Sequence, residues 1–203
     1  RALAVPGEKG VARTIVIVTD GYVTVEKDAF AYIQEHLGEA NVFTFGIGSS
    51  VNRFLIEGLA RAGLGEPMIV LAPDRAPALA AKFRQYVHAP VLTDVQLAFK
   101  GFQVEDVEPG RWPDLFAQRP LIAIGKYHGK PDGRVRITGQ TAEGPFSKEI
   151  MVSRANLHTD LSALQLLWAR RRIQRLADWN RLDPCDDRVK EVTQLGLDYH
   201  LLT

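Results

Sequence analysis

The N-terminal part of the chain alternates between short apolar segments and segments with helical spacing. The apolar segment at 15–18 is rich in β-branched residues and stops at Thr19-Asp20-Gly21. Apolar residues at helical spacing follow over 27–37, and Gly38 is a stop signal. This order of strand, turn and helix is typical of a sheet whose parallel strands are joined by helical crossovers.

The same succession occurs twice more along the chain. A strand is predicted at 41–47 with a helix at 51–62, and a strand at 68–71 with a helix at about 77–86. Gly48-Ser49-Ser50 reads as the turn and helix cap after the second strand. In a parallel sheet the loops that carry chemistry follow the strands, so we expect Asp20 and Ser49 at the carboxyl edge.

After residue 90 the pattern changes to β segments separated by Gly, Pro and Asp turns, which indicates an antiparallel β module. Strands are predicted near 92–99, 121–127, 134–138 and 146–152. The predicted fold is therefore a partial doubly wound parallel α/β sheet, followed by a small antiparallel β module and C-terminal helices. Its predicted parts are residues 1–90, 91–155 and 156–203.

Two helices are predicted in the C-terminal part. The first covers about 160–179, is capped by Thr159 or Asp160, and has an apolar face. The second covers 186–195 and ends at Gly196. The apolar face of the first helix consists of Leu161, Leu164, Trp168 and Leu176.

The charge balance gives the chain no overall field that would attract nucleic acid or acidic membranes. Lys and Arg number 25 against 24 Asp and Glu, a net charge of +1. One local cluster, Arg170-Arg171-Arg172 with Arg175, lies near Trp168 and Trp179 and could bind phosphate. We favour a solvated face whose arginine stems cover apolar surface, and we predict no nucleic-acid partner.

Cysteine and histidine offer little support for a site. The single Cys185 excludes an internal disulfide and reads as an incidental thiol in a turn. The histidines do not show the i, i+4 spacing of a helical metal site, so we expect surface positions for them. They are His36, His88, His128, His158 and His200.

The start of the chain, Arg1-Ala2-Leu3, does not read as a signal peptide. Arg1 is not an initiator Met, and we expect the chain to begin inside a longer precursor. No stretch approaches the roughly eighteen apolar residues of a membrane span, so no direct membrane span is predicted.

Thr19-Asp20-Gly21 is the one site-type motif, and two interpretations of it remain open. A carboxylate at the rim of a parallel sheet can bind a hard cation or a ligand hydroxyl. Asp20 can equally cap the following turn while Gly21 supplies a positive φ. Gly46-Ile47-Gly48 does not complete a dinucleotide fingerprint, because Val51 occupies the third glycine position.

The order of these motifs resembles a von Willebrand factor type A domain from its fourth strand onward. The residues that carry it are Thr-Ile-Val-Ile-Val-Thr-Asp-Gly at 14–21, Val-Phe-Thr-Phe-Gly-Ile-Gly at 42–48, and Asn52 before a helix. Segments at 91–95, 122–126 and 167–170 look like the region after the A domain in inter-alpha-trypsin-inhibitor heavy-chain-like proteins and their bacterial relatives.

The resemblance implies a role for Asp20 as a ligand in a metal-ion-dependent adhesion site. Thr19, Gly21, Tyr22, Gly48 and Ser49 would then lie near the bound ligand. The Asp-x-Ser-x-Ser loop and the later Thr of the family's site are not in this sequence. We therefore expect Mg²⁺ in the complete parent domain and weak or no Mg²⁺ binding by this chain alone.

Two function classes follow from these readings. The favoured class is a non-catalytic, extracytoplasmic adhesion-type module that binds a protein ligand through Mg²⁺ in its parent. The rival is a hydrolase or nucleotide-dependent α/β enzyme that uses the loops at Asp20 and Ser49. A third alternative is a purely structural scaffold that has lost ligand binding even in the parent. A half sheet also has an open edge, which predicts pairing with the missing N-terminal half of the protein or a homodimer through that edge.

Overall fold

A computed structural model describes residues 2–6, 8, 11–20, 26–38, 40–88, 90–153 and 161–202. The chain forms two compact units that interleave along the sequence. The first unit contains Arg1–Gln96, Trp112–Leu121 and Thr138–Ser147, and the second contains Leu97–Arg111, Ile122–Ile137 and Lys148–Thr203. The predicted division at residues 90 and 155 follows chain order and stays a prediction.

The first unit is built on the predicted β-α succession. Its elements are β1 (Arg13–Thr19), α1 (Glu26–His36), β2 (Ala40–Ile47), α2 (Arg53–Ala62), β3 (Leu64–Val70) and α3 (Ala76–Val87). The strands pair in parallel in the order β1-β2-β3. The predicted α/β fold class is confirmed.

Helices cover both faces of β2, because its side chains alternate between them. On one face, the rings of Phe43 and Phe45 lie edge-on to Phe83 of α3, with centroids 5.2 and 5.3 Å away. On the other face, the buried Thr44 hydroxyl donates to the Ile56 carbonyl of α2 at 2.7 Å. This double cover explains why almost every residue of β2 is buried.

β1 lies at the end of the strand order and, among the described strands, pairs with β2 alone. Val16 and Val18 of β1 are 44% and 60% exposed. This exposure is high for a strand made mostly of β-branched residues, a composition typical of a buried central strand. Val16 pairs with Phe43 and Val18 with Phe45, so both valines lie on the face that α3 covers over β2. The predicted open edge is therefore present in the described part of the sheet.

In the described residues after α3, six further strands follow. They are β4 (Pro90–Lys100), β5 (Gln103–Glu108), β6 (Leu115–Phe116), β7 (Ile124–His128), β8 (Gly133–Thr141) and β9 (Gly144–Val152). One sheet has the order β6-β4-β8-β9, and β5 pairs antiparallel with β7. Two of these strands were not predicted: β5, whose Glu and Asp have low strand propensity, and β6, which has only two residues.

The second unit contains α4 (Ser162–Leu182) and α5 (Asp186–Asp198). Its core is formed by Trp168, Ala169, Leu176 and Leu195. The predicted apolar face of α4 is wrong in its first turns, because Leu161 and Leu164 are each 43% exposed. The predicted caps Thr159 and Asp160 lie outside the described residues.

The predicted end of the last helix at Gly196 is also wrong. α5 continues through Gly196 to Asp198, and Gly196 is buried beside Leu195. A glycine near a helix end is a common stop signal, yet here tertiary packing of the last turn overrides it.

Candidate functional site

The carboxyl ends of β1 and β2 meet at the same edge of the parallel sheet. Thr19 is in register with Gly46, so Asp20 follows β1 beside the last residue of β2. Asp20 is exposed, and Gly48-Ser49 follow β2 directly. The structure thus brings Asp20 and Ser49 to neighbouring loops, as the sequence predicted.

The loop after β2 is fixed by β3 and by α2. The Gly48 amide donates to the Val70 carbonyl at 2.9 Å, and Gly48 has φ +108°, a conformation that side chains rarely adopt. The helix cap is Asn52, whose side chain accepts from the Leu55 amide at 3.1 Å. The prediction that Ser49-Ser50 supply the cap is therefore wrong, and Ser49 lies exposed in the turn.

Gly46 has a packing reason that does not involve a nucleotide. A Cβ at this position would overlap the Val51 side chain and lie 3.1 Å from Cγ1 of Ile56. A side chain at residue 46 would push α2 away from the sheet. The glycine pair around Ile47 is thus explained by close packing at Gly46 and backbone conformation at Gly48.

The oxygen ligands available at this edge are of the type that a hard cation prefers, but they are few. Mg²⁺ takes six oxygen ligands, and Asp20 and Ser49 provide a carboxylate and a hydroxyl. Within the described ranges no three His, Cys, Asp or Glu side chains are grouped to hold a metal ion. Gly21 and Tyr22, two of the predicted ligand-proximal residues, lie outside those ranges.

The described histidines are exposed, as predicted. They are His36, His88, His128 and His200, whereas His158 lies outside the described residues. His128 is within 2.8 Å of a Glu105 carboxylate oxygen across the β5–β7 pair. Cys185 is a free thiol at the N-cap position of α5.

Two arginines of the α4 cluster, Arg172 and Arg175, do not belong to the solvated face that the sequence predicted, whereas Arg170 is exposed. Arg175 donates through Nε and Nη2 to Oε1 of Glu108, at 2.9 and 2.7 Å, and Glu108 is only 2% exposed. Arg172 is 3.5 Å from carboxylate oxygens of both Asp106 and Glu108 and 2.7 Å from Glu191. The acids of β5 therefore face the basic residues of α4, which connects the helix to the strand.

Opposing influences set the pKa of Arg172. Burial acts to lower it, but the hydrogen bond and charge of Glu191, together with the charges of Asp106 and Glu108, hold the pKa above its ordinary value. Arg172 is thus a permanent cation shared among three carboxylates. This arrangement is a structural ion network, since each cation in it faces an acid of the same unit.

Trp168 adds a further contact between α4 and β5. Its indole N–H donates to the Asp106 carbonyl at 2.8 Å, and Nζ of Lys126 lies 4.1 Å from the centre of its ring. The acidic run at 105–108 and the basic run at 170–175 are the sequence signal that could have predicted this pairing.

Sequence reasoning also missed a second set of contacts at the amino edge of the parallel sheet. The Asn41 side chain donates to Oδ2 of Asp114 at 2.7 Å, and its own oxygen accepts from the Asp114 amide at 3.2 Å. Both side chains are buried. Nothing local in the sequence marks this pair, because its members are far apart in the chain.

Residues 1–67 match the family model of the von Willebrand factor type A domain. Over these residues the chain is similar to an A domain of this family. The match covers β1, α1, β2 and α2 and extends into β3, so Asp20 and Ser49 both lie within the matched residues. The resemblance predicted from the order of motifs is confirmed.

Similarity to known proteins continues past residue 67. Inter-alpha-trypsin inhibitor heavy chain H2 of Sus scrofa is 24% identical over 208 residues, covering 93% of this chain and 22% of that protein. A von Willebrand factor A domain-containing protein of Dictyostelium discoideum is 24% identical over 221 residues, covering 94% of this chain and 23% of that protein. The chain thus spans less than a quarter of the length of these relatives.

A solved structure is similar at lower sequence identity. The ArnB paralog VWA2 from Sulfolobus acidocaldarius is 15% identical, and the similarity covers 93% of this chain and 56% of that chain with a TM-score of 0.47. Separately, no described helix is both long and apolar enough to cross a membrane.

Proposed function

We propose that this chain is a non-catalytic part of an adhesion-type A-domain protein, and that the parent protein binds a protein ligand through Mg²⁺ at the edge that carries Asp20. The observation that carries the proposal is that Asp20 and Gly48-Ser49 follow the carboxyl ends of two adjacent parallel strands. In open α/β sheets, ligands bind at this edge.

Asp20 is assigned the role of one metal ligand, with Thr19, Gly21, Tyr22, Gly48 and Ser49 near the bound ligand. Because Asp20 and Ser49 supply too few oxygens for six-coordinate Mg²⁺, the other ligands come from elsewhere in the parent. A carboxylate of the bound protein would complete the coordination of the cation. In this proposal the chain alone holds Mg²⁺ weakly or not at all.

An enzymatic role for the same loops is the rival hypothesis. Hydrolysis would require a nucleophile with an adjacent base, and nucleotide chemistry would require a phosphate-binding loop. The sequence has neither motif around Asp20 or Ser49. Gly46, which suggested a nucleotide loop, is accounted for by its packing against Val51 and Ile56. Binding is therefore the better-supported class.

The open edge at β1 supports a second element of the proposal, which is a strand partner for this sheet. Val16 and Val18 are exposed on the face where α3 covers Phe43 and Phe45. A strand from the remaining part of the same protein would satisfy the edge and cover these valines. A homodimer through β1 is the alternative, and light scattering of the chain with and without the rest of the protein distinguishes them.

Extracytoplasmic location belongs to the same proposal, since an adhesion-type module acts in the periplasm, at the cell surface or after secretion. Fractionation of cells that express the full-length protein tests it. Recovery in the cytoplasmic fraction alone would contradict the location without affecting the metal site.

The metal-binding role is tested in the full-length protein by thermal unfolding with and without Mg²⁺. We expect Mg²⁺ to raise the Tm of the natural protein, because a ligand that binds the folded state stabilises it. Asp20→Ala should abolish the increase. Glu35→Ala, which alters an exposed acid in the last turn of α1, is the matched control and should retain it. An equal Mg²⁺ effect on Asp20→Ala would overturn the assignment.

A further inference from the structure

The pairing of β2 with β3 contains a β-bulge near the amino ends of the strands. Val42 pairs with Leu64 and Thr44 pairs with Pro67, so Gly65 and Glu66 together oppose the single residue Phe43. Two residues opposite one is the defining feature of a bulge. The bulge sets the position of every later residue of β3.

Without the bulge, the register of β3 would shift by one residue. Thr44 would then pair with Glu66, and Met68 and Val70 would turn to the opposite face of the sheet. Both side chains are buried in the observed register, at 3% and 5% exposure. The Gly48 contact with the Val70 carbonyl also depends on this register.

The bulge adopts a backbone conformation that carries a cost. Leu64 has φ +57°, which is unfavourable for a residue with a branched side chain. At Gly65 the β2 backbone approaches so closely that a Cβ would overlap the Val42 carbonyl. A conformation of this kind persists when surrounding contacts stabilise it.

Arg119 supplies such contacts to Leu64, which precedes the bulge, and to both bulged residues, Gly65 and Glu66. Its Nη1 donates to the Leu64 carbonyl at 3.0 Å, and its Nη2 donates to the Gly65 carbonyl at 3.1 Å. Its Nε donates to Oε1 of Glu66 at 3.0 Å. The guanidinium carbon lies 5.6 Å from the ring centre of Phe43, the residue opposite the bulge. The planar fork of arginine matches this set of acceptors, whereas a lysine ammonium does not.

The segment Trp112–Leu121 holds Arg119 in place. Its Phe116 is 2% exposed and packs edge-on against Phe43, with ring centroids 6.2 Å apart. The Phe116 carbonyl accepts a hydrogen bond from the Arg119 amide at 3.1 Å. Asp114 of the same segment makes the buried pair with Asn41 of β2. The segment comes after the family-model match in sequence, yet it belongs to the first compact unit.

We propose that Arg119 is a register-setting residue, and that Trp112–Leu121 is an integral part of the A-domain unit that selects the bulged pairing of β2 with β3. The unit that folds is therefore longer than residues 1–90 and includes this segment from beyond β5. The inference rests on the contacts at the amino edge and is independent of metal binding at Asp20.

The test is amide hydrogen exchange and inter-strand NMR contacts in the full 203-residue chain. Arg119→Ala and Arg119→Lys should each accelerate exchange in β2 and β3 by about tenfold or more, since bonds from a charged donor are lost. The NMR contacts between Thr44 and Pro67 should weaken. Amide exchange in α4 and α5 should stay unchanged. Arg84→Ala, an exposed arginine of α3, is the matched control and should leave exchange in β2 and β3 unchanged.

Unchanged exchange and register in Arg119→Ala would overturn the proposal, as would full retention of protection by Arg119→Lys. If both variants fail to fold, Glu66→Gln decides, because it weakens one of the three contacts and keeps the two carbonyl bonds. In Glu66→Gln, faster amide exchange confined to β2, β3 and the 112–121 segment supports the proposal. Exchange in this variant identical to that of the natural chain contradicts it.

Discussion

Arg175 and Glu108 form a charged contact in which both Nε and Nη2 of the arginine reach the same carboxylate oxygen, at 2.9 and 2.7 Å. Glu108 is almost fully buried, whereas about a third of the Arg175 side chain is exposed. Removing Arg175 would leave the buried Glu108 carboxylate with fewer charged partners, and an unpaired buried carboxylate lowers the stability of the fold.

Replacing Arg175 should therefore destabilise the second unit. Arg175→Ala leaves the Glu108 carboxylate to Arg172, which already contacts Asp106 and Glu191, and we expect a loss of about 2–4 kcal/mol. Chemical denaturation at neutral pH measures it. Arg170→Ala, at an exposed position of the same helix, is the control and should change stability by less than about 0.5 kcal/mol. Equal effects of the two substitutions would show that the network does not stabilise the fold.

The packing of α1 against α2 depends on the missing side chain of Gly58. A Cβ there would overlap the Phe30 ring, which is buried and packs edge-on against Phe54 at 5.6 Å. Gly58→Ala should destabilise the chain by about 1–2 kcal/mol, because overpacking exceeds the gain in helix propensity. Thermal unfolding measures the change. In a Phe30→Leu background, where the ring is absent, the penalty should fall or reverse, and a penalty of the same size there would refute the overlap.

Glu149 should make stability depend on pH. Its hydrogen bonds with Arg136 and then with Arg134 hold the pKa of Glu149 below its usual value. A carboxyl whose folded pKa is lowered stabilises the protein above the unfolded pKa, and this contribution is lost as pH falls through the folded pKa. The natural chain should therefore exceed Glu149→Gln in stability at pH 7. The difference should disappear at a pH below the folded pKa, and it should also shrink in high salt.

Denaturation of the natural chain and of Glu149→Gln, from pH 7 down to a pH below the folded pKa of Glu149, tests the sign of this pH dependence. A stability difference that grows on acidification would contradict the pairing. Glu143→Gln, at an exposed position in the turn between β8 and β9, is a control that should show little pH-dependent difference.

The order of strands and helices in the first unit could be predicted because its signals are local. β-branched runs, helical spacing and glycine turns identify β1 to α3, and the rule for parallel crossovers places Asp20 near Ser49. The contact between Asn41 and Asp114 could not be predicted in this way. It joins residues 73 positions apart, and no local pattern encodes such a pairing.

The helical cap and the arginine cluster show a second limit. Ser49-Ser50 and Asn52 are all good capping residues, and only the backbone path decides that Asn52 caps α2. Arg172 and Arg175 resemble solvent-facing arginines until β5 places Asp106 and Glu108 opposite them. β5 itself was missed because its acids disfavour a strand when considered alone.

We have proposed Asp20 as one ligand of a metal site whose other ligands come from elsewhere in the parent protein. Titration calorimetry of Mg²⁺ into the isolated 203-residue chain tests it most directly. Since one carboxylate and a hydroxyl hold Mg²⁺ poorly, the predicted result is no saturable binding at micromolar concentrations. Saturable binding in the micromolar range that is abolished by Asp20→Ala and kept by Glu35→Ala would mean that the chain carries a complete site, which contradicts the claim.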